Sequence, residues 1–142
     1  MPDDYLDNLS ADERAQMWAD AVNHLRPHQL LDVVRLDSVV AGFAVSGPES
    51  GGGYERHTGQ LFAINLEPEY SGRGLGRMLL KHVTAELSNE GFGEAVLWVV
   101  PENARAIGLY ESEQWNRDGA ARNDEVLGVV VSEVRFRRQL VA

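Results

Sequence analysis

Apolar residues recur every four positions at Leu75, Leu79, Val83 and Leu87. The spacing predicts one buried face of a helix, with Gly91 placed to close its C-terminus. An apolar run over residues 59–66 precedes it and predicts a strand. Near the start of the chain, Ser10 and Glu13 form a capping box, and Met17, Trp18, Ala21, Val22 and Leu25 share a helical face until Pro27 ends it. Two valine-rich runs, residues 30–36 and 39–46, flank Asp37-Ser38 and predict an antiparallel hairpin. Residues 47–56, with Gly51-Gly52-Gly53, predict a flexible loop.

Residues 94–100 are a near-continuous apolar run, the pattern of a strand in a sheet covered on both faces. A short helix is expected over 103–113, after Pro101, then a brief strand at 115–118 and one or two strands within 126–141, around Ser132-Glu133. Residues 59–100 therefore read strand, helix, strand: a β-α-β unit whose two strands should be parallel with a right-handed crossover. Hairpins on either side make the sheet mixed, so the expected fold class is α/β with an α+β mixed sheet. No internal repeat, linker or low-complexity tract interrupts the 142 residues, and one domain over 1–142 is expected.

Composition narrows the functional classes. Hydrophobic residues make up 44% of the chain, as in globular proteins, and 22 acidic against 13 basic residues give a net charge of −9. That excess argues against nucleic acid or an anionic membrane as partner and favours a cationic substrate. The absence of cysteine excludes disulfides, thiolate metal sites and a cysteine nucleophile, and is compatible with the cytoplasm. No apolar run approaches the roughly 20 residues of a membrane span, and Met1-Pro2-Asp3-Asp4 lacks the basic start of a signal peptide.

The segment joining the 59–66 strand to the next helix is the richest in chemistry. Gly72, Gly74 and Gly76 can turn successive amides toward one point at the helix's positive end, a cradle for a phosphate-like anion. Arg73, Arg77 and Lys81 crowd the first turns, while Glu86 and Glu90 lie toward the far end. That order opposes the helix dipole at about 0.3–1 kcal/mol per charge, and a bound polyanion would compensate it. Two phosphate motifs fail on spacing. A P-loop needs Lys-Ser or Lys-Thr after its last glycine, where this chain has Arg77-Met78, and the dinucleotide fingerprint needs its third glycine one residue later than Gly76.

Ser71-Gly72-Arg73-Gly74-Leu75-Gly76 resembles the acyl-CoA loop of the GNAT superfamily of N-acetyltransferases, whose pattern is Gln or Arg, two residues, Gly, one residue, then Gly or Ala. Only Ser71 departs from it. The block from Val99 through Asn103, Arg105, Leu109 and Tyr110 to Glu111 is similar to the family's strand-to-helix segment, and Glu133 to Leu140 resembles its last strand. The resemblance runs from about Ser10 to the end and is strongest between Phe62 and Trp115. It implies an acetyl-CoA-dependent N-acetyltransferase with the GNAT-like acyl-CoA N-acyltransferase fold. By that resemblance the backbone of Ile64, Asn65 and Leu66 pairs with the pantetheine arm like an added strand. Ser71, Gly72, Arg73, Gly74, Leu75, Gly76 and Arg77 hold the pyrophosphate, Asn103 contacts the arm, and Tyr110 protonates the departing thiolate. The acceptor is an amine on a small molecule or a protein, and with no cysteine to carry the acyl group, transfer is direct.

Several positions carry weaker expectations. Related enzymes often place a glutamate base on the strand before the loop; here Gln60 stands there, and an amide cannot act as a base. His57 has a suitable ordinary pKa for that task, with a solvated loop histidine as the plainer reading. His24 and His28 have i, i+4 spacing, but Pro27 lies between them and no carboxylate follows at ligand spacing, so no metal is assigned. Trp18, Trp98 and Trp115 read as core or cleft aromatics. Superfamily members usually open with a strand and a helix ahead of the first helix seen here, so the expectation is either a start upstream of Met1 or an N-terminally shortened domain. In a shortened domain the 30–36 strand would be an exposed edge inviting a homodimer. The alternative function is a CoA-binding sensor or remnant without turnover.

Overall fold

The strands Leu30–Leu36 (β1) and Val39–Pro48 (β2) form the expected hairpin, with Asp37 at φ 49° and Ser38 at φ 75°. Two left-handed residues in a two-residue turn give the twist that antiparallel strands require. This computed structural model describes residues 28–49, 57–70, 72–126 and 128–140, together with Gln16, Ala19, Asp20, Asn23 and Leu25. The predicted first helix, with the capping box, Trp18 and His24, falls mostly outside the described residues. Gln16, Ala19, Asp20 and Asn23 have helical backbone.

Thr58–Leu66 (β3) pairs antiparallel with β2, then leads through a short 3-10 turn, Pro68–Tyr70, into the helix Leu75–Asn89 (α1). Leu75, Leu79, Leu80, Val83 and Leu87 are its buried residues, the predicted four-residue stripe with one addition. Gly91, at φ 99°, closes the helix: its amide donates to Ser88 O and that of Phe92 to Leu87 O, at 3.0 and 3.2 Å, the Schellman pattern. Glu94–Val99 (β4) returns parallel to β3, completing the β-α-β unit, and Ala104–Ser112 (α2) follows.

The remaining chain departs from the sequence expectation. Asn116–Val126 (β5) and Val129–Gln139 (β6) form one long antiparallel hairpin. The expected brief strand at 115–118 is corrected, since β5 runs on to Val126; of the one or two strands expected within 126–141 there is one, with Ser132 and Glu133 mid-strand, and Trp115 precedes β5, fully buried in the core. Charge pairing across the strands holds polar residues in an extended run that has no apolar alternation. Arg122 binds Glu133, and Asp118 takes both Arg135 and Arg137. A register shift between Arg117 and Ala121 accommodates Gly119 at φ 93°. Gly47 and Pro48, expected in a loop, belong to β2; residues 50–56 lie outside the described residues.

Among the described residues the sheet has six strands in the order β1-β2-β3-β4-β6-β5, mixed as expected, with β1 at one edge. Leu61, Leu80, Val83, Leu97, Val99, Tyr110, Trp115 and Phe136 form the centre of the core between the sheet and the helices. No described helix is long and apolar enough to cross a membrane.

Candidate active site

β3 and β4 pair only from Thr58 opposite Glu94 to Leu61 opposite Leu97. Beyond that point they part, although β3 stays pinned to β2 as far as Leu66 opposite Gly42. The seam therefore opens on one side of Ile64, Asn65 and Leu66, and a cleft of about 220 Å³ occupies the gap. It is lined by those three residues, by Gly72, Gly74, Gly76 and Arg77 from the loop and α1, and by Asn103, Arg105, Ala106 and Leu109 from α2.

At one end of the cleft stands the N-terminus of α1. Gly72 at φ 80° and Gly74 at φ 78° take left-handed backbone, and Gly74 caps the helix without any side-chain hydrogen bond. The first turn's amides thus keep their donors for a ligand, at the positive end of the dipole. Gly76 serves packing instead: a Cβ there would stand 3.3 Å from Leu66 Cδ1 and 3.7 Å from Leu109 Cδ2. Its absence lets α1, β3 and α2 converge at the cleft floor.

The three bases of the first turns are not equivalent. Arg77 donates to Ser112 Oγ at 2.8 Å and to Glu113 Oε2 at 2.9 Å, and Lys81 lies 3.6 Å from Glu113 Oε1. Glu113, just past the end of α2, therefore supplies much of the compensation that the sequence reading assigned to a bound polyanion. Arg73 has its guanidinium 5.5 Å from the Tyr70 ring centroid. Ser71 lies outside the described residues.

Asn103 is the N-cap of α2, where its Oδ1 accepts from the Ala106 amide at 3.1 Å. Its Nδ2 is buried with no hydrogen-bond partner among the described residues, on a side chain lining the cleft. A buried amide donor without an acceptor costs about 1–3 kcal/mol, a debt that an incoming carbonyl would cancel. Tyr110 is fully buried beneath, its ring 6.5 Å from that of Trp115 and 6.4 Å from that of Phe136. It is not among the cleft-lining residues, and neither are Arg73 and Leu75, whose side chain is in the core. Gln60 is buried in the closed part of the seam, opposite Val96. His57 is exposed, and its carbonyl accepts from the Gly93 amide.

Sequence reading missed Arg105, Ala106 and Leu109 as cleft residues and Glu113 as partner of the loop bases. The first three stand in the Asn103-to-Tyr110 block, Ala106 three residues after Asn103 and Leu109 three and four after Ala106 and Arg105, a signal that helical spacing carries.

The closed part of the seam is held by charge. Glu94 accepts from Thr58 Oγ1 at 3.0 Å and from Gln139 Nε2 at 3.3 Å, and pairs with Arg137. The Arg137 hydrogen bond, working against burial, holds the Glu94 carboxyl below its ordinary value.

Residues 2–114 match the profile of the Acetyltransferase (GNAT) family. A mycothiol acetyltransferase of Kocuria rhizophila is 37% identical over 82 residues, 56% of this chain and 27% of that protein. A [ribosomal protein bS18]-alanine N-acetyltransferase of Salmonella typhimurium is 46% identical over 63 residues, 44% of this chain and 43% of its own length. The matched region thus spans less than half of either curated relative. The structure of a Salmonella typhimurium protein with its cofactor acetyl-CoA superposes with a TM-score of 0.69 at 22% identity, covering 94% of this chain and 76% of that one, and shares the fold. With most of its sequence matched by the profile, the chain belongs to the acetyltransferase (GNAT) family.

Proposed function

We propose that this protein transfers an acetyl group from acetyl-CoA directly to the nitrogen of a primary amine. The observation that carries the reading is the parted seam: an unpaired stretch of β3 backbone, an uncapped helix N-terminus and the Asn103 amide all face one cleft. A ligand with an extended amide-bearing arm and a pyrophosphate needs those three features. In this reading the arm lies along Ile64, Asn65 and Leu66 as an added strand, and the loop from Ser71 to Gly76 with the first turn of α1 holds the pyrophosphate. Asn103 Nδ2 donates to a carbonyl of the arm, and Arg73 supplies the charge that Arg77 gives to Glu113.

The amine nitrogen attacks the thioester carbonyl carbon, the C–N bond forms, and the C–S bond breaks. CoA leaves as a thiolate that takes the phenolic proton of Tyr110. With an amide at position 60, the amine's proton passes to water. The acceptor is an amine-bearing small molecule or a protein amine, the latter supported by the relative named for a ribosomal protein alanine, and the net charge of −9 favours one that is cationic before it reacts. In this reading the protein works in the cytoplasm, with which its lack of cysteine is compatible.

The test is thiol release from acetyl-CoA across a panel of small amines, polyamines and peptides with free N-termini. Amine-dependent release supports the reading, and acetyl-CoA that binds without release on any amine removes it.

A further inference from the structure

On a different face of α1 from the Arg77 and Lys81 ladder, His82 and Glu86 stand at i, i+4 and meet Asp32 from β1. We infer that Asp32, His82 and Glu86 form a binding site for one divalent transition-metal ion, with zinc the best match to the ligand set. None of the three lines the acetyl-CoA cleft, and the site does not rest on the proposed reaction.

The spacing of the three side chains suits a tetrahedral ion. His82 Nε2 lies 3.3 Å from Asp32 Oδ1 and 3.4 Å from Glu86 Oε2, and the three ligand atoms fall within 4.8 Å of one another. Zinc bonds of about 2.0–2.2 Å in tetrahedral array put neighbouring ligand atoms about 3.3–3.6 Å apart, so an ion fits between these atoms with small side-chain adjustments. One imidazole nitrogen and two carboxylates are borderline ligands of the kind zinc accepts. The His82 side chain is 62% exposed, which gives the ion an entry path and leaves room for water as a fourth ligand.

One further observation separates this cluster from an ordinary ion-pair triad. Asp32 Oδ2 and Glu86 Oε2 are shut off from solvent, and beyond the 3.4 Å approach of His82 Nε2 to Glu86 Oε2 neither has a hydrogen-bond partner among the described residues. Carboxylate oxygens in that state cost free energy. A divalent ion would offset it. Once bound, it would tie the edge strand β1 to α1, the helix whose N-terminus opens on the cleft.

Full-length protein freed of metal by chelator, titrated with zinc chloride in a calorimeter, is the test. The expected result is one zinc per chain with a micromolar or tighter Kd. Cobalt(II) in its place should give the intense visible absorption of a four-coordinate ion. His82→Ala and Glu86→Gln should each weaken zinc binding about tenfold or more, with unchanged circular dichroism. His28→Ala and His57→Ala should leave it intact. Glu86→Gln, nearly isosteric, keeps the test decisive if the histidine variant does not fold. Absence of saturable binding, a weak octahedral cobalt spectrum, or affinity retained in Glu86→Gln would each overturn the assignment.

Discussion

The two halves of the β3–β4 seam are made from the same strands and do opposite things. Over Thr58 to Leu61 the strands pair in parallel register, with Leu61 and Leu97 fully buried and Glu94 linking Thr58 to Arg137 and Gln139 of β6. Over Ile64 to Leu66 that partner is gone, and among the described residues the strand is held from its other side, by β2. An unpaired strand edge inside a domain is expensive unless something pairs with it. The closed half therefore carries the stability that allows the open half to wait for a ligand. Substitutions in the two halves should separate these duties.

The largest effect belongs to Tyr110, buried behind the open half. Tyr110→Phe removes the proposed proton donor while keeping the ring's contacts with Trp115 and Phe136, and kcat should fall by about 10²–10⁴ with acetyl-CoA affinity nearly unchanged. Steady-state kinetics beside a binding titration would check this split.

Next come two glycines that contrast the halves directly. A Cβ on Gly42 of β2 would meet the Asn65 carbonyl oxygen at 2.6 Å and Leu66 Cδ2 at 2.5 Å, so β3 must move where it is open. Gly42→Ala should cost about 1–3 kcal/mol of stability and weaken acetyl-CoA binding at least about tenfold. A Cβ on Gly59, in the closed half, would meet only side chains, Leu87 Cδ2 at 3.0 Å and Phe92 Cδ2 at 3.2 Å. Gly59→Ala should cost about 1 kcal/mol or less and leave acetyl-CoA affinity intact. Urea unfolding and calorimetry on the same samples would expose any exchange of the two patterns.

These contrasts also show what sequence could and could not reveal. Leu75, Leu79, Val83 and Leu87 gave their helix through periodicity, and the glycine loop gave the anion cradle, because both are local. The β5–β6 hairpin was illegible for a matching reason. Arg117, Asp118, Arg122, Asn123, Asp124 and Glu125 are poor strand formers on their own, and the strand pairing that holds them extended comes from β6. The pairing of Arg77 and Lys81 with Glu113, and of Asp32 with His82, likewise depends on contacts across more than thirty residues of chain. Asn103 could be read as a site residue from its block, but its twofold use, Oδ1 in the cap and Nδ2 toward the cleft, needed coordinates.

The closed half should also respond to acid. Because the Arg137 hydrogen bond depresses the Glu94 carboxyl in the folded state, its contribution is present above the ordinary carboxyl pKa of 4.5 and is lost as pH falls through the lower folded value. Glu94→Gln should destabilise the protein by about 1 kcal/mol at pH 7 and flatten the decline below pH 4.5. Unfolding curves across that range would test the sign. Smallest of all, Glu113→Ala releases the half-exposed Arg77 and Lys81 at about 0–1 kcal/mol, with little change in melting temperature.

Amide hydrogen exchange with and without acetyl-CoA tests the central claim most directly. Saturating acetyl-CoA should slow exchange at Ile64 and Leu66, whose amides alternate away from β2, and at Gly72 through Gly76, while Thr58 through Leu61, in the stretch flanked by β2 and β4, stay unchanged. Protection absent from residues 64–66, or spread evenly along β3, would contradict the account.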